Sequence, residues 1–540
     1  MRIAIIGSGS GAFAAAIHAA SKGAEVFIIE MGTLGGTCVN VGCVPSKIFI
    51  RAAEAAHMQS SHPFSGLGKP AIHLDRRSLT LQQQARVEEL RHAKYESILE
   101  ANEHIHLIRG FAAFKDEHTL SIELTEGGIQ ELVADRILIA TGSSPFIPDI
   151  PGLKDTPYWT STEALQTEVQ PKSLAVIGGS VVALELAQAY ARFGTKVTLL
   201  ARSTLLSKDD PTIGIGLKSA FENEGIIVLT HTIPTAIAYD HSGFRLTLPD
   251  TSVLTVDQVL VAAGRHANTP RLNLKAAKIA VDKFGNVIVD DEMRTNVPHI
   301  FAAGDCTSQP QYVYVAAAAG TRAAANMLGG HAKLDLSIMP AVVFTDPQVA
   351  TVGLTEAQAL EEGIQPESRL LTLDNVPRSL SAFNTSGFIK LVAEKGTGKI
   401  LGAQILAHEG SEVIQTVAVA MKAKMTIKDL SQMLFPYLTM AEGLKLCAQT
   451  FTKNVKELSC CADAGIEDEK VEPKHDCCSK PVIKKDSNVS ASTFYSIANT
   501  IRSNPITSTL VTVGFFAAGA IVLNKFDVKF STSNYIAPKL

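Results

Sequence analysis

The hydrophobic positions of this chain fall into short apolar runs, each closed by a turn of small residues and several followed by an amphipathic stretch. Residues 2–6, RIAII, are apolar without alternation, the pattern of a strand covered on both faces. GSGSGA at 7–12 then predicts a tight turn, 13–22 a helix, and 25–29 a second strand ending in Glu30. The same order returns further on, where LAVIGG (174–179) predicts a strand and turn, SVVALELAQAYARFG a helix and TKVTLLARS a strand. RILIATGSSP (136–145), VLVAAGR (259–265) and HIFAAGD (299–305) are further apolar runs ending in small residues, the last carrying Asp305 at a strand end. Residues 336–451 alternate strand and helix patterns without another such turn, which predicts a separate α+β domain.

Beyond residue 461 the pattern changes. ADAGIEDEKVEPKHDCCSKPVIKKDSNVSAST (462–493) is charged and poor in large apolar residues, which predicts a disordered linker. Residues 506–523, ITSTLVTVGFFAAGAIVL, carry no charge, and as a helix would extend about 27 Å, just short of a bilayer core. The punctuation predicts an α/β fold with two dinucleotide-binding domains, an α+β domain, a tail and a candidate C-terminal membrane helix. The first dinucleotide-binding domain takes 1–150 and returns at 271–335, and the second takes 151–270. The α+β domain takes 336–461, the linker 462–505 and the candidate membrane helix 506–523.

Composition narrows the partners. The chain has 540 residues, 46% of them hydrophobic and 19% charged, enough for several cores. A net charge of -4 without a basic block argues against nucleic acid and for small molecules. The opening apolar run is too short for a secretion signal, so a reducing compartment is expected, where inert disulfides are rare.

The turns and cysteines carry the candidate chemistry. Gly7 and Gly9 let the backbone approach a pyrophosphate at a helix N-terminus, Ala12 completes the G-x-G-x-x-A spacing, and Glu30 can accept from ribose hydroxyls. In the second unit Gly178 opens the turn, Ser180 stands where a second glycine is usual, and the strand runs out into Arg202 with no acid. A guanidinium there suits a 2′-phosphate, which favours NADPH over NADH. Six of the eight cysteines form three close pairs: Cys38 with Cys43, Cys460 with Cys461, and Cys477 with Cys478. Cys38 and Cys43 sit in GGTCVNVGCVPSK (35–47), where a helix start and Lys47 favour a reactive thiolate. Cys306 and Cys447 are isolated and read as buried and inert.

Taken together, the two dinucleotide units, the Cys-x4-Cys stretch, ATGS and AAGD resemble the flavin-dependent pyridine nucleotide:disulfide oxidoreductases over residues 1–461. The resemblance implies FAD bound by Gly7, Gly9, Ala12, Glu30, Gly32, Thr37, Lys47, Ala113, Thr141, Gly142, Asp305 and Val313. It implies the nicotinamide cofactor bound by Gly178, Ser180, Ala183, Arg202 and Gly264. Cys43 would be the thiol next to the flavin and Cys38 the outer, exchanging thiol, while Lys47 would stabilise the reduced flavin and pair with Glu185.

Disulfide-reducing members of that family carry a His-Pro-Thr-x-x-Glu pattern, since a departing thiolate needs a proton donor near neutral pH. Here the stretch reads YLTMAE, with Tyr437 in the histidine's place and Glu442 retained. Tyrosine, with an unperturbed pKa of about 10, serves poorly there. Vicinal Cys460 and Cys461 can instead pass a soft metal ion between thiolates. This set resembles the mercuric reductases, and the resemblance implies a homodimer in which Cys460 and Cys461 of one subunit deliver Hg(II) to Cys38 and Cys43 of the other. Electrons would come from NADPH through FAD, with Tyr95 and Tyr437 flanking the metal. The alternatives are a reductase of small disulfides such as glutathione or dihydrolipoamide, and a membrane-tethered soft-metal-binding protein. The expected location is cytoplasmic, with 506–523 attaching the enzyme to the inner face of a membrane.

Overall fold

Parallel strands covered by helices on both faces read as unbroken apolar runs, and strand β1 (Arg2–Ile6) is buried at every position after its first. The structure is a computed structural model and describes residues 1–458. After β1 come helix α1 (Ser10–Ala20), β2 (Glu25–Glu30), α2 (Gly36–Val41), α3 (Cys43–Ser61) and α4 (Arg76–Arg91). Strands β3 (Ile105–Phe114), β4 (Thr119–Leu124), β5 (Ile129–Val133) and β6 (Arg136–Ile139) follow. The second unit contains β7 (Ser173–Ile177), α5 (Val181–Arg192), β8 (Lys196–Leu200), β9 (Ile227–Leu229) and β10 (Gln258–Val261). The chain then returns through β11 (Ile300–Ala302) and α6 (Val313–Met327).

Seven strands form the first sheet in the order β11-β6-β1-β2-β3-β4-β5. Pairing is parallel from β11 to β3 and antiparallel beyond it. Ile6 lies opposite both Ile29 and Ile139, so the chain leaves β1, β2 and β6 at one common edge. That edge is where parallel α/β sheets bind ligands. A second, parallel sheet runs β9-β8-β7-β10. The antiparallel β3-β4-β5 extension, and a meander over 236–256 before β10, were not read from the sequence. Their alternation is short and interrupted by polar turns, and only pairing makes them strands.

The third sheet is antiparallel, in the order β12 (Ala341–Val343), β13 (Gln348–Gly353), β16 (Ile400–Ala407), β15 (Phe388–Glu394), β14 (Pro366–Thr372). Helix α7 (Gly410–Lys422) packs on β13 and β16, so β16 is buried along its whole length. Helix α8 (Glu442–Gln449) lies against β14 and β15. The expected α+β domain is therefore present. Among the described residues no helix is long and apolar enough to cross a membrane; residues 506–523, like Cys460, Cys461, Cys477 and Cys478, lie outside them.

Two features tie the dithiol helix to the rest. Phe49 on α3 is fully buried, with its ring 5.1 Å from those of Tyr190 and Phe193 at the end of α5. The buried Arg76 guanidinium lies 4.5 Å from the Phe49 ring and donates to the Ala164 and Leu165 carbonyls at 3.2 Å each. On α5, Glu185, Gln188 and Arg192 share a face at helical spacing, and all three reach the segment 344–346 that precedes β13. Gln188 accepts from Asp346 N–H at 2.8 Å and donates to its carbonyl at 2.6 Å, while Arg192 donates to the Asp346 carboxylate at 2.8 Å.

Burial alone would raise the Asp346 carboxyl, but the His408 imidazole 3.7 Å away and the Arg192 charge outweigh it and hold the pKa down at about 2. A carboxyl depressed on folding adds stability above its unfolded value of 3.8 and loses it as pH falls through the folded one. Asp346→Asn is therefore expected to be about 2 kcal/mol less stable than wild type at neutral pH. Chemical denaturation of both forms should show the gap closing between pH 4 and pH 2, and a gap independent of pH would refute the assignment.

Candidate active site

A cleft of about 740 Å³ opens at the carboxyl edge of the first sheet, where the turns after β1, β6 and β11 contribute Gly9, Gly142 and Gly304. The start of α5 contributes Val181 and Glu185, and the segments flanking β12 contribute Pro340 and Phe344. The dithiol stretch crosses its floor with Thr37, Cys38, Cys43 and Lys47.

The first turn is built for close approach. Gly7 has φ 105°, and a Cβ there would overlap the Ala140 carbonyl oxygen, so no side chain can separate β1 from β6. Gly9 precedes α1 without any side-chain cap, which leaves the first N–H groups of the helix directed at a ligand. Ala12 is fully buried one turn in. Glu30 ends β2, and its carboxylate is held by Ser8 Oγ at 2.6 Å and Gly32 N–H at 2.6 Å. The buried Thr141 hydroxyl has no partner beyond the Cys306 sulfur, an open valence a ligand can satisfy. Asp305 accepts from Ser143 Oγ at 2.9 Å and lines the cleft with Val313, which begins α6 without a side-chain cap. Ala113 sits on β3 opposite Ser121. These features fit FAD: an uncapped helix start for pyrophosphate, a fixed acid for ribose, and a second uncapped helix start beside the dithiol.

The second turn repeats the device. Gly178 has φ 146°, and a Cβ there would overlap the Ala262 carbonyl oxygen. Ser180 is the N-cap residue of α5 yet makes no side-chain cap, so the helix start stays open despite the missing glycine. Ala183 is fully buried beneath the turn. Arg202 is exposed just past β8, and Gly264 is exposed just past β10. This open helix start and exposed guanidinium fit the pyrophosphate and 2′-phosphate of NADPH.

Within the dithiol, Cys38 is half-buried on α2, and Cys43, the first residue of α3, faces the cleft. The Cys38 thiol hydrogen-bonds to the Cys43 sulfur. That bond, aided by the Lys47 ammonium and opposed by burial, brings the Cys43 pKa down to about 7. The same bond raises Cys38 far above the ordinary thiol range. The two sulfurs thus titrate as a pair, which sheds one proton near neutral pH and holds the second far more tightly. Lys47 donates to Glu185 Oε2 at 2.7 Å, and the Glu185 side chain is only 4% exposed.

Neither Tyr95 nor Tyr437 is among the residues lining the cleft. Tyr95 lies in a π-helical turn (His92–Glu96) behind Gly35, edge-on to Phe13 at 4.9 Å and 3.3 Å from Ser10 Oγ, and burial raises its pKa. Tyr437 is not among the residues lining the cleft of its own chain; it is 60% exposed on the loop before α8. Buried Glu442 accepts the Leu438 N–H at 3.2 Å and so fixes the turn that presents Tyr437. Cys306 and Cys447 are buried, and burial pushes their thiols up to about 11 and about 12, as expected of inert positions. Arg265 and Phe344 are among the cleft residues that the sequence did not single out. Arg265 donates to Ser143 Oγ at 2.7 Å and so braces Asp305, and it directly follows Gly264 in an already informative run. Phe344 had no signal in the sequence, because its partners lie far away along the chain.

Residues 1–320 match the pyridine nucleotide-disulphide oxidoreductase family, and residues 339–448 match the dimerisation domain of the same proteins. Among solved structures, the HOCl-induced flavoprotein disulfide reductase RclA from Escherichia coli superposes with a TM-score of 0.75 at 28% identity, covering 84% of this chain and 100% of that one. LpdA from Mycobacterium tuberculosis gives a TM-score of 0.76 at 25% identity, over 84% of this chain and 100% of its own. The mercuric reductase of Acidithiobacillus ferrooxidans is 58% identical over 463 residues, covering 86% of this chain and 84% of that protein. The mercuric reductase of Shewanella putrefaciens is 59% identical over 461 residues, or 85% and 83% of the two chains. The chain belongs to the pyridine nucleotide-disulphide oxidoreductases and, within them, to the mercuric reductases.

Because the Cys38 donor is the larger cause, Cys38→Ala should raise the Cys43 pKa from about 7 toward the unperturbed 9, by more than Lys47→Met does. Thiolate absorbance of the reduced protein against pH measures both. A larger effect of the lysine change would mean that the ammonium, and not the neighbouring thiol, holds the charge.

Proposed function

We propose that this chain is an NADPH-dependent mercury(II) reductase that works as a homodimer. The observation that carries the reading is the dithiol itself. Cys38 and Cys43 line the floor of the cleft together with Lys47 and form a ready pair of soft ligands there. Position 437 is a tyrosine where disulfide-reducing members carry the histidine that protonates a leaving thiolate, which weighs against disulfide reduction. The identity to mercuric reductases, over more than four-fifths of the chain, supports the same substrate.

Bound FAD supplies the two-electron link between the nicotinamide and the sulfur site. Gly7, Gly9, Ala12, Glu30, Gly32, Thr37, Ala113, Thr141, Gly142, Asp305 and Val313 hold it, and Gly178, Ser180, Ala183, Arg202 and Gly264 hold NADPH. The uncapped start of α6 and the Lys47 ammonium place positive potential on the cleft wall, where negative charge accumulates on reduction. Cys38 and Cys43 ligate Hg(II) handed over by Cys460 and Cys461 of the partner subunit, with Tyr95 beside the dithiol and Tyr437 of the partner subunit flanking the ion. Two electrons leave NADPH and two reach the metal, so NADPH and Hg(II) become NADP+, elemental mercury and a proton.

The single sheet that joins β1–β6 to β11 supports one FAD domain split between 1–150 and 271–335, with 151–270 for NADPH and 336–461 for dimerisation. The outward-facing segment 433–438, where Leu434 is 93% exposed, offers apolar surface for the second subunit. The apolar run 506–523, on the linker 462–505, would tether the enzyme to the inner face of a membrane.

The test is NADPH oxidation with HgCl2 in excess thiol, against oxidised glutathione. Fast turnover with mercury alone is expected, and preference for the disulfide would overturn the reading. Replacing both Cys460 and Cys461 by Ala should cut mercury turnover at least tenfold, roughly the effect of losing one ligand-transfer step. Equal mercury vapour from both forms would remove the delivery role.

A further inference from the structure

The carboxylate of Glu185 does two things at once. Its Oε2 accepts from the Lys47 ammonium at 2.7 Å, and its Oε1 accepts the backbone N–H of Phe344 at 2.9 Å. The Phe344 ring then turns back over Lys47, its centroid 4.7 Å from Nζ. Lysine, glutamate and phenylalanine come from three regions of the chain and close a small box at the wall of the cleft. All three line that cleft together with Cys43.

We propose that Phe344 is a positioning residue for the reaction, its ring face fixing the Lys47 ammonium against the cleft. A lysine has a flexible four-carbon stem, and with 36% of this side chain exposed, one carboxylate leaves the ammonium free to pivot about it. An aromatic face on a second side removes that freedom, because the ring quadrupole attracts the cation from a fixed direction. The ring is itself held. Its N–H is bound to Glu185, and two residues on, Gln188 and Arg192 grip the backbone and carboxylate of Asp346. A leucine would fill the same space without attracting the charge.

The inference rests on the reading of Lys47 as the cation that stabilises reduced FAD. The experiment measures the midpoint potential of the flavin by spectroelectrochemistry in the full-length holoenzyme, alongside kcat and KM. The proteins compared are wild type, Lys47→Met, Phe344→Leu, Phe344→Tyr and the double variant Lys47→Met with Phe344→Leu; Phe344→Met replaces the leucine form if that form does not retain FAD. Phe344→Leu should shift the potential to more negative values in the direction of Lys47→Met and lower kcat roughly threefold to tenfold, with KM for NADPH unchanged. Phe344→Tyr should restore both, and the leucine change should have no effect once position 47 is methionine. An unchanged potential in Phe344→Leu, or an equal shift with and without Lys47, would overturn the role of the ring. An unchanged potential in Lys47→Met would instead strike down the underlying reading of the lysine, and the inference with it.

Discussion

The ion pair between Lys47 and Glu185 is the constraint on which the site depends. Glu185 is almost wholly buried on α5, and a buried carboxylate is tolerated only when charge and hydrogen bonds compensate it. Its compensation comes from Lys47 on α3 and from the backbone of Phe344 beside the third sheet. Satisfying one acid therefore brings the dithiol helix, the second dinucleotide unit and the dimerisation domain to a common point. Phe49 against Tyr190 and Phe193 reinforces the first of these contacts with apolar packing. Arg192 and Gln188 reinforce the second through Asp346.

Around that point the electrostatics are arranged by hydrogen bonds more than by net charge. Cys43 is anionic near neutral pH first because Cys38 donates to it, and only second because Lys47 is close. Glu30 and Asp305 are likewise oriented by hydroxyl and backbone donors, Ser8 and Gly32 for the first and Ser143 for the second, with the Arg265 charge close to Asp305. Such acids keep acceptor capacity for ligand hydroxyls. Tyr437 stands away from its own chain's cleft, on a turn stiffened by Glu442. The glutamate that elsewhere accompanies a histidine here shapes the loop that carries the tyrosine.

Much of this was legible locally. The glycine turns, the Cys-x4-Cys stretch and the buried, unreactive character of Cys306 and Cys447 follow from short patterns, because a tight turn or an apolar run is decided by its own few residues. HIFAAGD reads as a strand ending in an acid, and in the fold Ile300–Ala302 is a strand that pairs with β6 in the first sheet. The β3-β4-β5 extension and the meander before β10 were not legible, because their strands are half-exposed and gain their identity from neighbours.

By itself, then, the sequence determined which residues are chemically competent: two thiols, a lysine, an uncapped helix start, an arginine suited to a phosphate, and a tyrosine where a histidine would be expected. Tertiary structure alone decided which of them act on one another. That Glu185 is buried, that Phe344 covers Lys47 and that Arg265 braces Asp305 through Ser143 all depend on distances between segments far apart along the chain. Side-chain chemistry is a local property, whereas a pKa or a preferred lysine position is set by whatever the fold brings within a few ångströms.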